Sequence, residues 1–304
     1  MEIERKIVIV GGMACGPKAA ARARRCDPHA RITIVEQGTT VSEGSCGLPY
    51  FIGGDVASDK ALLIRTPRYF KEVSDIDVMT GSRATVIHRD SHELEVVNVT
   101  TGAVSRLPYD QLVLATGATP VVPGSLTGRD LKGVFTLTKI ADATAIVTAL
   151  GTGTVKKAVV VGAGLIGIES AEALKNRGLD VSLVEALPRA LPALLDPDMS
   201  LHVEKELAAK GVNLFLEQRV LRLEGDEGSV RRVVTERATI EADIVLLALG
   251  YRPNVELARE AGLTIGATGG LSVNEYMQTS DPDIYAGGDC VENTHRVTGA
   301  RILA

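Results

Sequence analysis

Hydrophobic and polar positions repeat one pattern twice along the chain. In each copy a short run of mostly apolar residues leads into a glycine-rich turn, and a helical pattern and a second apolar run follow. Apolar runs of this length are typical of strands buried on both faces of a parallel sheet. The predicted strand, helix and strand cover residues 6–10, 17–25 and 31–36 in the first copy and residues 158–161, 168–177 and 180–185 in the second. The chain therefore contains two predicted βαβ units.

A second repeat supports the first. Residues 109–117 and 242–250 are similar strand-like segments, and each ends in a glycine. Each closes a stretch of alternating polar and apolar residues, 77–104 and 212–240, which predicts β-hairpins. The fold class that follows is α/β, with two Rossmann-like, three-layer dinucleotide-binding domains that each carry a β-meander.

The order of these segments predicts that one domain is discontinuous. Residues 120–151 contain Pro-Val-Val-Pro-Gly and link the two halves, and residues 251–254 mark the return. A short strand then ends in Gly287-Gly288-Asp289, after which the chain shows no helical periodicity. The predicted domains are residues 1–120 plus 251–304, and residues 121–250 inserted between them.

The second glycine loop, Gly162-x-Gly164-x-x-Gly167, follows a predicted strand and opens a predicted helix. Glycines in this context let the backbone turn tightly and approach a pyrophosphate at the helix N-terminus. Glu185 ends the next strand, where a carboxylate can accept both ribose hydroxyls and repels a 2′-phosphate. NADH is therefore favoured, although the nearby Arg189 leaves NADPH as an alternative. The nucleotide-binding residues predicted in this half are Gly162, Gly164, Leu165, Ile166, Gly167, Glu185 and Gly250. The alternative interpretation is that the glycines serve helix–sheet packing alone.

The first glycine loop is less regular. It runs Gly11-Gly12-x-Ala14-x-Gly16, with Met13 at its third position, and Glu36 again ends the following strand. This context predicts a second dinucleotide site. The residues predicted to form it are Gly11, Gly12, Ala14, Gly16 and Glu36.

Composition excludes several other functions. The net charge of -5 gives no basic patch for nucleic acid, and no apolar run reaches the length of a membrane helix. Four cysteines in 304 residues are too few and too scattered for a disulfide framework, so a reducing cytoplasm is the expected location. No group of His, Cys and Asp residues has metal-ligand spacing, and no metal site is predicted.

Together with Ala115-Thr116-Gly117 and Gly287-Gly288-Asp289, the paired glycine loops resemble the flavin-dependent pyridine nucleotide-disulfide oxidoreductases. The resemblance spans residues 6–304 and implies the glutathione-reductase-like FAD/NAD(P)-binding fold. It implies that the discontinuous domain binds FAD and the inserted domain binds the nicotinamide cofactor. The FAD contacts that it adds to the first loop are Ala115, Thr116, Gly117, Gly288 and Asp289. Glu169 resembles the acidic residue found near the flavin and nicotinamide rings in this family.

Cys46 indicates which members of this family the chain resembles most. Glutathione-reductase-type members carry Cys-x4-Cys near this point, whereas Ser42-x3-Cys46 leaves one thiol here and excludes an internal redox disulfide in this segment. Members with a single active cysteine are NADH oxidases, NADH peroxidases and coenzyme A-disulfide or persulfide reductases. Cys46-Gly47-Leu48-Pro49-Tyr50 resembles the last group.

Three residues are predicted to bind the substrate. Arg22 and Arg25 resemble the arginines that meet coenzyme A phosphates in that group, although they could equally form a solvated helix face. Ser45 stands where coenzyme A-disulfide reductases often have Asn. This departure favours persulfide or polysulfide substrates alongside coenzyme A disulfide.

The predicted mechanism centres on Cys46. Gly47 and Pro49 indicate that a helix or tight turn begins just after it, and N–H groups there would stabilise a thiolate. Ser42 is predicted to assist with its hydroxyl. The predicted function is a reductase that moves electrons from NADH through FAD to a small disulfide, persulfide or polysulfide at Cys46. The alternatives are an NADH oxidase or peroxidase with a cysteine sulfenic acid, a non-catalytic nucleotide-binding or redox-sensing fragment, and an inert buried thiol.

The resemblance also sets an expectation about length. Family members generally continue beyond this point with a dimerisation domain that supplies acid/base residues to the partner's active site. The chain is therefore expected to be a fragment or an unusually short relative, poorly active and holding FAD loosely. A homodimer is expected only if the full protein carries that domain.

Overall fold

The structure, a computed structural model, describes residues 4–303. Within that range the chain divides into two compact units. The first unit comprises residues 4–44, 63–119 and 252–303, and the second comprises residues 45–62 and 120–251.

Helices and strands alternate in the two βαβ regions, and runs of consecutive strands follow each of them. The helices are α1 (Cys15–Cys26), α2 (Leu48–Gly53), α3 (Pro67–Ser74), α4 (Ile140–Gly151), α5 (Leu165–Asn176), α6 (Pro197–Ala209) and α7 (Glu256–Glu260), with 3-10 turns at Ser45–Gly47 and Asp59–Leu62. The strands are β1 (Lys6–Val10), β2 (Arg31–Val35), β3 (Ile76–Met79), β4 (Ser82–His88), β5 (Glu93–Asn98), β6 (Val104–Pro108), β7 (Gln111–Leu114), β8 (Ala118–Pro120), β9 (Val134–Phe135), β10 (Lys157–Val161), β11 (Asp180–Val184), β12 (Val212–Phe215), β13 (Val220–Asp226), β14 (Ser229–Thr235), β15 (Thr239–Glu241), β16 (Ile244–Leu247), β17 (Tyr251–Pro253), β18 (Leu271–Ser272), β19 (Ile284–Ala286), β20 (Val291–Thr294) and β21 (Arg301–Leu303).

A parallel sheet in the order β19-β7-β1-β2-β3 forms the centre of the first unit. Successive residues of β1 face opposite sides of this sheet. Ile9 packs on one side with Ala20 of α1 and Phe70 of α3. Val8 packs on the other side with Leu94 of the antiparallel meander β4-β5-β6. The unit therefore has three layers: helices, parallel sheet and meander.

The second unit repeats this architecture. Its parallel sheet has the order β12-β11-β10-β16-β9. Val159 of β10 packs with Leu223 and Val233 of the meander β13-β14-β15. On the other face α5 packs against β10 and β11, with Ala171 and Leu174 fully buried. The predicted α/β fold class, with two dinucleotide-binding architectures, is what the structure shows.

Four predicted segments differ in detail from the structure. The first strand of each predicted hairpin stretch, β3 and β12, joins the parallel sheet instead, because its apolar residues pair beside β2 and β11. The predicted link 120–151 contains a strand of the second sheet, β9, and a helix of three turns, α4. The tail forms an antiparallel hairpin from β20 and β21.

The unit boundaries also depart from the predicted domains at one place. Residues 45–62, predicted to belong with the first domain, cluster with the second unit. The reason is that α2 packs against α4 and α5. The segment that carries Cys46 is thus held by helices of the inserted half.

The described helices do not meet the requirements of a membrane span. Between residues 4 and 303, no helix combines the length and the apolar character needed to cross a membrane.

Candidate nucleotide and thiol sites

The first glycine loop is folded tightly onto the strand beside it. Gly11 has a φ of 111°, and its N–H donates to the Val35 carbonyl over 2.9 Å. A Cβ on Gly11 would collide with the Ala115 carbonyl oxygen, and one on Gly16 would collide with the carbonyl oxygen of Gly11. The loop therefore requires glycine at both positions, so that α1 can begin close to the ends of β1 and β7.

Glu36 closes this loop from the end of β2. Its carboxylate accepts the Gly12 N–H over 2.7 Å and the Gly38 N–H over 2.6 Å, and the side chain is buried. Each carboxylate oxygen retains a further lone pair that a ribose hydroxyl could use. The arrangement thus fixes the loop and leaves acceptors for a nucleotide.

The second glycine loop has the same geometry. Gly162 has a φ of 109°, and a Cβ on it would collide with the Ala248 carbonyl oxygen. A Cβ on Gly167 would collide with the carbonyl oxygen of Gly162. Gly164 differs, since no atom lies within 4 Å of the place of its Cβ. There is therefore open space at the N-terminus of α5, which suits a pyrophosphate.

Glu185 holds the second loop as Glu36 holds the first. Its carboxylate accepts the Ala163 N–H over 2.7 Å and the Leu187 N–H over 2.9 Å. Arg189, the residue that left NADPH open, donates to the Pro192 carbonyl over 3.3 Å. This bond uses Nη2 alone, and the buried Nε has no hydrogen-bond partner among the described residues.

Asn254 anchors the loop that follows β7, a role that sequence reasoning missed. The Thr116 hydroxyl donates to the Asn254 carbonyl over 2.6 Å, and the Asn254 amide donates to the Thr116 carbonyl over 2.9 Å. The Asn254 N–H also donates to the Gly117 carbonyl over 2.9 Å. Gly117 has a φ of 66° and open space at its Cβ. The only sequence signal was the position of Asn254 in the return crossing.

Gly287 and Gly288 lie against the start of α1. A Cβ on Gly287 would come within 3.0 Å of the Cys15 sulfur. Burial raises the pKa of the Cys15 thiol, and Cys290 and Asp289 raise it further. The Cys290 thiol is fully buried and lies 3.4 Å from the Gly287 carbonyl, to which it donates. Cys15 therefore stays a neutral thiol at neutral pH, and both cysteines pack against Gly287.

Cys46 is exposed on the 3-10 turn Ser45–Gly47, directly before α2. The predicted helix after Cys46 is present, with Pro49 in its first turn and Gly47 as its N-cap. A Cβ on Gly47 would come within 2.5 Å of the Leu62 side chain, so the turn packs closely against Leu62. The alternative of a buried thiol at Cys46 is wrong, and the reactivity of this thiol stays a prediction.

Ser42 has a φ of 55°, in the left-handed region. Its N–H donates to the Gly12 carbonyl over 2.7 Å, and its carbonyl accepts the Ile64 N–H over 2.9 Å. The backbone of Ser42 thus braces the first glycine loop. A catalytic role for its hydroxyl stays a prediction.

The arginines of α1 divide into two kinds. Arg24 donates to the carbonyls of Pro28, Ser74 and Asp75 over 2.7–2.9 Å. Arg22 and Arg25 are exposed. Arg24 therefore serves structure, whereas the two arginines predicted to bind phosphate remain available to a ligand.

The remaining predicted residues lie on the loops after the central strands, in the first two turns of α5 or, for Ser45, on the 3-10 turn that carries Cys46. Ser45, Leu165, Glu169, Gly250 and Asp289 are exposed, and Ala115 and Ile166 are half-buried; Ala14, the N-cap of α1, is exposed as well. Within each unit the structure thus brings the predicted nucleotide residues to the carboxyl edge of the parallel sheet, where such folds bind nucleotides.

Two units, each with a glycine loop after its central strand, are typical of a known family of proteins. A family model described as pyridine nucleotide-disulphide oxidoreductase matches residues 5–302, and the chain belongs to this family. Membership confirms the predicted family and the predicted fold class. The predicted cofactor types, a flavin and a nicotinamide nucleotide, are those of this family.

Individual relatives carry related names. An NADH oxidase of Methanocaldococcus jannaschii is 39% identical, over 98% of this chain and 66% of that protein. An NAD(P)H coenzyme A polysulfide/persulfide reductase of Pyrococcus horikoshii is 38% identical, over 99% of this chain and 66% of that protein. The solved structure of an NAD-dependent persulfide reductase from A. fulgidus has a TM-score of 0.95 and 46% identity, over 98% of this chain and 55% of that one. The chain thus spans about two thirds of the length of these curated relatives.

Proposed function

We propose that the chain is the nucleotide- and thiol-bearing part of an FAD- and NADH-dependent reductase. Its substrate would be a disulfide, persulfide or polysulfide of a small thiol such as coenzyme A. The observation that carries this proposal is the exposed Cys46 thiol on the turn before α2. An accessible thiolate attacks external sulfur, and a segment with one cysteine cannot store the product as an internal disulfide.

The first unit would hold FAD. Three features support this assignment: the tight Gly11 loop, the buried Glu36 carboxylate at the end of β2, and the open loop at Gly117. The backbone N–H groups at the start of α1 are suited to a pyrophosphate, and Glu36 is suited to a ribose.

The second unit would hold NADH. Open space at Gly164 admits a pyrophosphate to the N-terminus of α5, and Glu185 lies at the end of β11 to accept ribose hydroxyls. The Glu185 carboxylate would repel a 2′-phosphate at the end of β11. These features favour NADH over NADPH.

With a single thiol at Cys46, the reduction of a substrate disulfide proceeds through a mixed disulfide. The Cys46 thiolate attacks a substrate disulfide R–S–S–R′, the S–S bond breaks, and R′S⁻ leaves and takes a proton from water. A mixed disulfide, Cys46–S–S–R, remains. When bound, FAD would take a hydride from NADH and supply the electron pair that splits this bond. The sum is one disulfide, NADH and a proton converted to two thiols and NAD⁺.

Replacement of Cys46 tests the proposal. In Cys46→Ser, NADH-linked reduction of coenzyme A disulfide should fall by at least about 10³-fold, because the hydroxyl is a far weaker nucleophile. Cys26→Ser is the matched control, since Cys26 is also exposed but ends α1. Equal rates in the wild type and Cys46→Ser, for every disulfide and persulfide offered, would sink the proposal.

An NADH oxidase is the second candidate, favoured by the name of the M. jannaschii relative. In that case Cys46 would cycle through a sulfenic acid formed by peroxide. Turnover in the presence of a sulfenic-acid-specific dimedone probe separates the two functions. Dimedone labelling of Cys46 with oxygen or peroxide as the acceptor supports the oxidase, and a coenzyme A or sulfur adduct supports the reductase.

A further inference from the structure

Helix α2, which follows Cys46, is too short to be stable alone. It has six residues, Leu48–Gly53, whereas isolated helices in water need roughly 12–15 residues. The last carbonyls of such a helix also need partners outside it. The position of Cys46 therefore depends on what holds the two ends and the buried face of α2.

The end of α2 is capped from α5. The Tyr50 carbonyl accepts three N–H groups of the following loop, at residues 54–56. The two carbonyls after it, of Phe51 and Ile52, accept Nη2 and Nε of Arg177 over 3.4 and 2.6 Å. A cation at a helix C-terminus is favourable, and charged hydrogen bonds are stronger than neutral ones.

Gly53 and Gly54, at the end of α2, lie close to Arg177 and to α5. Gly54 has a φ of 98°, and a Cβ there would lie 3.2 Å from the Arg177 guanidinium carbon. A Cβ on Gly53 would lie 3.4 Å from the Ala173 Cα, one turn earlier in α5. Helices α2 and α5 are thus in close backbone contact at the point where Arg177 caps α2.

The other end of α5 opens on the second glycine loop, at Gly164. One helix therefore carries the proposed NADH pyrophosphate site at its N-terminus and the clamp on the Cys46 segment at its C-terminus. We propose that Arg177 is a positioning residue for Cys46, one that fixes the thiol segment to the NADH-binding helix. This inference rests on the proposed function of both sites.

Hydrogen exchange tests the clamp without reference to activity. In Arg177→Ala, amides in a peptide spanning residues 48–56 should exchange about tenfold faster, because both hydrogen bonds from Arg177 to the end of α2 are lost, while exchange in peptides of α6 should not change. Arg177→Lys keeps the positive charge but loses the two parallel donors of the guanidinium. The exchange rate of residues 48–56 in this variant should lie between those of the wild type and Arg177→Ala. Asn176→Ala, an exposed neighbour on the same helix end, is the matched control and should match the wild type.

Kinetics separate positioning from general damage. With Arg177→Ala, kcat for disulfide reduction should fall about tenfold, while KM for NADH and the rate of flavin reduction by NADH stay within about twofold. Millimolar guanidinium should restore part of the lost kcat. Because α2 lies away from the glycine loop along α5, only the thiol half-reaction should suffer.

Two results would overturn the inference. One is exchange in residues 48–56 that is the same in the wild type, Arg177→Ala and Arg177→Lys. The other is an equal loss in both half-reactions, which would mark Arg177 as a fold residue only; Arg177→Lys decides this if Arg177→Ala does not fold. If Cys46→Ser keeps full activity, the proposed function fails, whereas the exchange result at α2 stands by itself.

Discussion

Glu36 and Glu185 use one carboxylate each to close a glycine loop. Each accepts a loop N–H with one oxygen and the N–H two residues further along the chain with the other. Removing either carboxylate therefore has two effects, a loss of two charged hydrogen bonds within the fold and a loss of acceptors for a ribose. Substitutions at these positions must be interpreted with a stability measurement beside the binding measurement.

Glu185 and Ala186 should control the choice of nicotinamide nucleotide. In a Glu185→Ala, Ala186→Arg variant, the ratio of kcat/KM for NADPH to that for NADH should rise by at least about 100-fold. The reason is that a repelling carboxylate is replaced by a guanidinium able to bind a 2′-phosphate. Steady-state kinetics with both nucleotides measure this ratio.

The control for that variant is Glu172→Ala, which removes a carboxylate of α5 paired with Lys210 and distant from the loop in sequence. Bound flavin should be unchanged in both variants, since Glu185 belongs to the second unit. An unchanged preference for NADH in the double variant would contradict the role assigned to Glu185.

At the scale of elements, both glycine loops depend on contacts that only a residue without Cβ permits. Gly11 combines a positive φ with contact against the Ala115 carbonyl. Gly102, in the turn between β5 and β6, has a φ of 73° but open space around it. Alanine substitutions at Gly11 and Gly102 therefore separate the cost of backbone strain from the cost of a steric collision.

Gly11→Ala should lower the free energy of unfolding by about 3 kcal/mol or more, through strain together with overpacking. Gly102→Ala should cost about 1 kcal/mol, through strain alone. Equilibrium urea unfolding measures both values. Gly11→Ala should also reduce flavin content, and equal losses of stability in the two variants would contradict the packing described for the first loop.

Elements with a strong periodic pattern could be predicted, and those placed by packing could not. The strands β1 and β10 lie at or within one residue of their predicted bounds, because continuous apolar runs specify strands buried on both faces. Helix α4 was missed inside a segment interpreted as a link. Its signal was the pattern of buried Ile140, Ala143 and Ile146, together with Asp142, which accepts the Lys139 N–H at the helix start.

For the whole molecule, the internal repeat made the two-unit architecture predictable. What the sequence could not indicate was long-range partnership. The hydrogen bonds from Asn254 to Thr116 and from Arg177 to Ile52 join residues more than 100 positions apart. No local pattern encodes such a pair, and the same holds for the clustering of residues 45–62 with the second unit.

The four cysteines lie in different environments. Cys15 and Cys290 pack the first unit, Cys26 ends α1, and Cys46 alone lies on the turn before a helix that another helix clamps. The proposed function assigns the reacting sulfur to the last of these. The other three should remain reduced throughout turnover.

Peptide mass spectrometry after incubation with coenzyme A disulfide measures that assignment directly. A coenzyme A adduct should form on the Cys46 peptide at least about tenfold faster than on the Cys26 peptide, and it should be lost when FAD and NADH are supplied. Cys15 and Cys290 should stay unmodified. Labelling of Cys26 as fast as Cys46, or a Cys46 adduct that NADH does not release, would contradict the single-thiol mechanism.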